Sequence, residues 1–426
     1  MIQLSDLIEG AKNCVDNAAK VKPGEEVLIL SDTTVDPDVV NAYRIAAELA
    51  GGNVSVLTLK SKIAGAGPNK ILDEGYFVPW PKMAWHAMVA ANVCLNLSYF
   101  IEVHSLFGAA QTQWVEQFMD LKKKYGTRLV RVQISVKETL ASAYARYPQP
   151  LIEFIGVSAF RQVMEAIGID FEKLDISAAT LEAEKAEVEL TDLEGTDLRF
   201  KGLQFTGGWK WKVGGEKDEQ TAWKDFGSYN VGLQPSDSEP NANGVIVTSA
   251  LHTGPIPQMK ITVRDGKGVN IEGGGEVGLR WLRDWEKNSH VMSTGRVFAI
   301  HKRPGINWLE EVMYATHPKA FRVGEHYMYS GTEADHSWFT GSRRSGTLHM
   351  AFGGGVGPKL YKHRDVEIFW PTLIVNKTTI IDKGHLMILD DPKVRKEAKK
   401  YGDPDELLTE DWIPEIPSKR ELMFAI

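Results

Sequence analysis

The spacing of apolar positions changes once along the chain, and the change divides it. Up to about residue 175, apolar residues alternate between helical and extended spacing. Leu7 to Ala19 repeat at helical intervals and predict a first helix. Pro23-Gly24 turns the chain into the β-rich run Glu26 to Leu30, which ends at Ser31-Asp32. Asp36-Pro37 opens a second helix through Val40, Ile45 and Leu49, stopped by Gly51-Gly52, and Val54 to Thr58 is the next strand. A β-α-β unit with short connections builds a parallel sheet. Ala91 to Leu97 and Arg128 to Val132 predict further strands, with a helix between them near Ala110 to Leu121.

From Lys185 helical spacing gives way to short strands between Asp/Gly turns. Val188 to Thr191, Leu198 to Phe200 and Gly244 to Thr248 are predicted strands, and Lys260 to Val263 pairs with Val269 to Ile271 across Asp265-Gly266 as a hairpin. An amphipathic helix covers Val277 to Trp285. Gly207 to Gly227, with Trp209, Trp211 and Trp223, shows no period and reads as a long loop. The expected architecture is an α/β, Rossmann-like domain over residues 1–175 with a parallel sheet, followed by a mainly antiparallel α+β metal-binding domain over residues 176–426.

Composition narrows the function. The chain has 426 residues, enough for two or three domains, with 43% hydrophobic and 25% charged residues, as in soluble globular proteins. A net charge of -7 with short, interrupted basic runs argues against a nucleic-acid surface. Cys14 and Cys94 alone make neither a disulfide framework nor a cysteine zinc site, which points to a reducing, cytoplasmic setting. No secretory signal opens the sequence, and no apolar run is long enough to span a bilayer. No Gly-x-Gly-x-x-Gly follows the first strand, so dinucleotide binding has no support. Gly273-Gly274-Gly275 and Gly353-Gly354-Gly355 lack a P-loop lysine and read as tight bends.

Candidate chemistry gathers between Val323 and Val375. His363-Arg364-Asp365 precedes Val366, Ile368 and Leu373-Ile374-Val375, an extended apolar pattern. Residues two apart on a strand share a face, so His363 and Asp365 can address one ion. Imidazole and carboxylate are ligands that Fe(II), Mn(II) and Zn(II) accept. His349, in an apolar run ended by glycines, and Glu325, beside His326, are the candidates to complete the set. Each has a bland reading: a His-x-Asp marks the wet face of many strands, and His349 is equally a hydrogen-bonded core histidine. His104 follows the Ala91 to Leu97 strand, where open parallel sheets collect ligands, although a loop histidine is more often a surface residue.

Gly244-Val245-Ile246-Val247, Leu282-Arg283-Asp284-Trp285, Val323-Gly324-Glu325, Leu348 to Gly355 and His363-Arg364-Asp365 together resemble two related families. These are the thermophilic metallo-aminopeptidases of the aminopeptidase T type and, more closely, the 2,5-dihydroxypyridine 5,6-dioxygenases. The resemblance implies two paired metals in the first family, with a carboxylate where Val245 stands here. It implies one iron held by two histidines and an aspartate in the second, with a pocket histidine matching His104 in a proton-transfer role. The third family histidine falls on or beside Glu325, so either Glu325 is the ligand or His349 completes the set with Glu325 as fourth ligand or acid/base group.

The resemblance therefore implies a mononuclear enzyme with metal ligands among Glu325, His349, His363 and Asp365 and catalytic groups His104 and Glu325. Its cofactor is one divalent transition metal, Fe(II) favoured over Mn(II) or Zn(II). Its partners are a small hydroxylated aromatic or N-heteroaromatic substrate and O2, with no nucleic acid and no membrane, in a homo-oligomer. Ring cleavage is the favoured reaction. A metal-dependent hydrolase, with the metal activating water and Glu325 as base, is the rival, and a non-catalytic binding module with a degenerate site is the third reading.

Overall fold

A computed structural model describes residues 2–33, 35–59, 82–97, 124–173, 183–204, 224–227, 229–235, 241–251, 254–292, 303–321, 343–353 and 364–410. The chain begins with helix α1 (Leu4–Asn13), which runs on as a π-helical turn over Cys14–Ala19. Strand β1 (Glu26–Asp32), helix α2 (Pro37–Leu49) and strand β2 (Asn53–Leu59) follow as the β-α-β pattern predicts. The side chain of Asp36 accepts from the Asp38 N–H and Pro37 occupies the first turn, so α2 starts where the sequence says. Helix α3 (Lys82–Ala90), β3 (Val93–Asn96), β4 (Arg128–Val132) and the long helix α4 (Gln149–Ala166) complete this half. The predicted helix near Ala110 to Leu121 lies outside the described residues.

The second half supplies β5 (Glu187–Thr191), β6 (Asp197–Lys201), β7 (Lys224–Phe226), β8 (Asn230–Gly232) and β9 (Asn243–Leu251). The hairpin β10 (Gly254–Arg264) and β11 (Lys267–Gly273) leads into helix α5 (Gly275–Lys287). Then come β12 (Leu309–Ala315), β13 (Leu348–Phe352), β14 (Arg364–Ile368), β15 (Thr372–Val375), β16 (Thr378–Asp382) and β17 (His385–Leu386). Helices α6 (Pro392–Ala398) and α7 (Pro404–Leu408) close the described chain. No helix among the described residues is long and apolar enough to cross a membrane.

Two sheets result. The parallel one has five strands in the order β2-β1-β3-β4-β7. Its last strand comes from the stretch read as a loop, which is corrected at that point: Lys224–Phe226 pairs in parallel with β4. The antiparallel one has twelve strands, running β17-β16-β15-β5-β6-β9-β14-β13-β12-β8, with β10 and β11 attached through β9. The architecture is the expected combination of a parallel α/β unit and a mainly antiparallel α+β unit. The extended pattern read from His363 to Val375 is in fact two strands, β14 and β15, separated by Phe369-Trp370-Pro371. β15 leaves β14 and pairs with β5 instead.

The antiparallel sheet has a distinct inner face. Val312, Tyr314, Leu348, Met350, Phe352, Val366 and Ile368 join Leu151, Ile155 and Phe160 of α4 in one buried cluster. The Tyr314 hydroxyl donates to the Ala159 carbonyl (3.1 Å), which ties β12 to α4. Because side chains alternate along a strand, the residues between these core positions stand on the opposite face. Glycines sit where the backbone demands them. A Cβ on Gly346 (φ +75°) would lie 2.0 Å from the Gly384 carbonyl oxygen, so only glycine fits that turn.

Candidate metal centre

The face of β12, β13 and β14 turned away from the core gathers two carboxylates and an imidazole. Cross-strand register places Glu311 opposite Ala351, and Ala351 opposite Asp365. One step along, Met313 stands opposite His349 and His349 opposite Glu367. Directly opposed residues on neighbouring strands point the same way. Glu311 and Asp365 therefore flank the small side chain of Ala351, and His349 closes one end of the gap. One ligand atom from each of Glu311, His349 and Asp365 lies within 4.8 Å of the others. Glu311 and His349 are buried, and Asp365 is half-buried.

The backbone explains how β12 delivers its carboxylate. A bulge between Leu309 and Glu311 lets Leu309 face Phe352 in the core while Glu311, two residues on, meets Ala351 on the far side. β14 is held from its core side. Arg364 is buried, pairs with Asp284 of α5 and lies over the Trp281 ring, with its guanidinium carbon 5.2 Å from the centroid. Asp365, the next residue, turns the other way.

The donor set fits a divalent ion. His349 Nε2 and Glu311 Oε1 are 3.2 Å apart. Two ligands at right angles, each about 2.1 Å from one ion, are separated by about 3 Å. Two carboxylates and a neutral imidazole offset a dication fully, which suits a site with little water around it. The same 3.2 Å contact also serves as a hydrogen bond from the ring N–H to the carboxylate.

Of the residues singled out in the sequence, the structure brings His349 and Asp365 together. Glu325, His326, His363 and His104 lie outside the described residues. Glu311 is the member that sequence reading missed. It stands far from the His-x-Asp pair in sequence and is joined to it only by strand register; its one signal is a carboxylate pair inside the apolar run Trp308 to Ala315.

No protein-family model matches the chain, and no curated protein matches its sequence. Among solved structures, 2,5-dihydroxypyridine dioxygenase from Pseudomonas putida aligns over 91% of this chain and 98% of its own, at 16% identity and a TM-score of 0.53. AmpT from Thermus thermophilus aligns over 90% of this chain and 99% of its own, at 12% identity and a TM-score of 0.48. The chain shares its fold with the dioxygenase, in accord with the resemblance drawn from the sequence motifs.

Proposed function

We propose that this chain is a metal-dependent enzyme whose ion is held by Glu311, His349 and Asp365 and which acts on a small hydroxylated aromatic or N-heteroaromatic compound. The observation that carries the reading is the convergence of these three side chains over Ala351. The fold shared with a dihydroxypyridine dioxygenase supports the aromatic substrate and favours Fe(II)-dependent ring cleavage by O2. When bound, a divalent ion supplies a Lewis acid and, if it is iron, the electrons that dioxygen chemistry needs.

The protein's own part is electrostatic and geometric. Glu311 and Asp365 supply negative charge from opposite sides, and strand pairing holds them apart at a fixed separation. A rigid sheet keeps this spacing better than a loop. Ala351, with only a methyl group, is the residue between them, and His349 lies on the same face two residues away. Three protein ligands leave positions for a substrate oxygen and a second reactant. His104 and Glu325, outside the described residues, keep the proton-transfer and acid/base roles that the resemblance implies.

A hydrolytic reading is favoured by one specific observation: the described ligand set has two carboxylates and one imidazole, where the dioxygenase arrangement has two imidazoles. In that case Mn(II) or Zn(II) activates water. Elemental analysis of anaerobically purified protein, followed by an oxygen electrode with a panel of dihydroxypyridines, separates the two. Iron with oxygen uptake is expected, whereas Mn or Zn with oxygen-independent turnover supports hydrolysis. Full metal occupancy retained in both His349→Ala and Asp365→Ala would overturn the ligand assignment.

A further inference from the structure

At one end of the two strands that bring Glu311 and His349 together, the turn that leads into β13 hydrogen-bonds the end of β12, and the far end of the described chain holds that turn. Arg344 to Thr347 lead directly into β13. The Ser345 N–H donates to the His317 carbonyl (2.9 Å), the Gly346 N–H to the Ala315 carbonyl (3.2 Å), and the Ala315 N–H to the Thr347 carbonyl (3.0 Å). The turn is thus bonded to the last residue of β12.

Its side chains meet Glu410, whose side chain is 6% exposed. The Ser345 hydroxyl donates to Glu410 Oε1, and Arg344 Nη2 stands 3.9 Å from Oε2. Arg344 Nη1 donates to the carbonyls of Ser345 (2.7 Å) and Gly384 (2.9 Å). On the other side of Glu410 stands His385. Its Nδ1 is 2.7 Å from Glu410 Oε2, and its Nε2 is 2.9 Å from Asp390 Oδ2. A ring bracketed by two carboxylates satisfies both contacts only as imidazolium, because neutral imidazole has a single N–H. The charged groups around it are Arg344, Lys383, Asp390, Arg395 and Glu410, which face a cavity of about 330 Å³ beside the ring. The segment arriving at Glu410 is tied down separately: Tyr147 donates its hydroxyl proton to the Leu407 carbonyl (3.1 Å), and Lys319 Nζ donates to the Thr409 carbonyl (2.7 Å).

We propose that Glu410, clasped by His385, is a positioning residue for the metal centre: through Ser345 and Arg344 it fixes the turn that sets β12 against β13, and so the approach of Glu311 to His349. This rests on the reading of Glu311, His349 and Asp365 as metal ligands. The clasp is alkaline-labile. The Glu410 hydrogen bond, against the opposing effect of burial and with Asp390 assisting, pushes His385 up to about 9. A histidine raised above its unfolded value of about 6.5 contributes fully below that value and loses its contribution as pH climbs through 9.

The test uses the full chain, with two readouts. In metal-stripped protein, Glu410→Gln should move the His385 imidazole titration, followed by NMR, from near 9 toward 6.5. Amide hydrogen exchange across residues 344–352 should rise at least tenfold. In wild type the same exchange should rise between pH 8 and 10, corrected for intrinsic rates, and in Asp390→Asn that rise should begin at lower pH. Zn(II) affinity of Glu410→Gln at pH 7.5 should fall about tenfold. Unchanged exchange in Glu410→Gln overturns the clasp, and unchanged Zn(II) affinity with raised exchange overturns its link to the centre. A wild-type chain that binds no Zn(II) overturns the metal reading instead.

Discussion

Glu311→Gln separates an ion-binding site from a histidine held by its neighbour. Glutamine keeps the volume and an acceptor oxygen, so the 3.2 Å contact with His349 can persist in the metal-free protein. Weakening that hydrogen bond to a charged group costs about 1 kcal/mol, or a melting shift of a few °C. Metal binding should respond far more. Groups one step outside a ligand set already change affinity by about 10–100-fold, so loss of a direct carboxylate ligand is expected to cost at least about 100-fold. At a metal concentration of about 100 times the wild-type Kd, binding stabilises the native state by about 2.7 kcal/mol. The variant, then near its own Kd, gains only about 0.4 kcal/mol. Isothermal titration with Zn(II) on chelator-stripped protein gives the affinities, and thermal melts with and without metal give the stabilities. A variant that binds within threefold of wild type, with the same metal-induced rise in Tm, would show that Glu311 serves only as a hydrogen-bond acceptor for His349.

Two other substitutions probe the site and the fold. Ala351→Leu puts an isobutyl group between Glu311 and Asp365 while leaving all three proposed ligands in the sequence, so metal binding should be lost while far-UV circular dichroism stays native. His317 is fully buried between Tyr144 and Tyr147 (ring centroids 4.7 Å from each), and burial first, then the nearby Lys319 charge, lowers it to about 3. Its depressed value means that stability is intact above about pH 6.5 and falls as pH drops toward 3, at about 1.4 kcal/mol per pH unit from this group. In His317→Asn the urea midpoint should depend less steeply on pH over that range, and an unchanged slope would exclude His317 as the source.

The sequence was most legible where one local signal decides. Asp36-Pro37 starts α2, Asp265-Gly266 turns β10 into β11, and the apolar runs of β1 and β3 are strands buried in a parallel sheet. It was least legible where the third dimension decides. β12 was not recognised because the bulge at Glu310 places Leu309 and Val312, three residues apart, on the same face, and this erases the alternation by which a strand is read. β7 is too short to show a period, and only its pairing with β4 gives it a place. At the site, imidazole and carboxylate chemistry singled out His349 and Asp365. Glu311 needs the register of three strands before it becomes a candidate.

The bulge in β12 has a consequence for ancestry as well as for geometry. Glu310 is the one residue of that strand which the two-residue repeat does not need: without it, Leu309 would still oppose Phe352, and Glu311 would still oppose Ala351. A lineage can therefore drop or acquire a single codon here and keep both faces of the ladder, whereas the same event between Val312 and Ala315 would exchange interior for exterior. Kin of this chain should be compared with a one-position gap allowed inside the strand, since a gapless comparison would shift Glu311 out of phase and hide it.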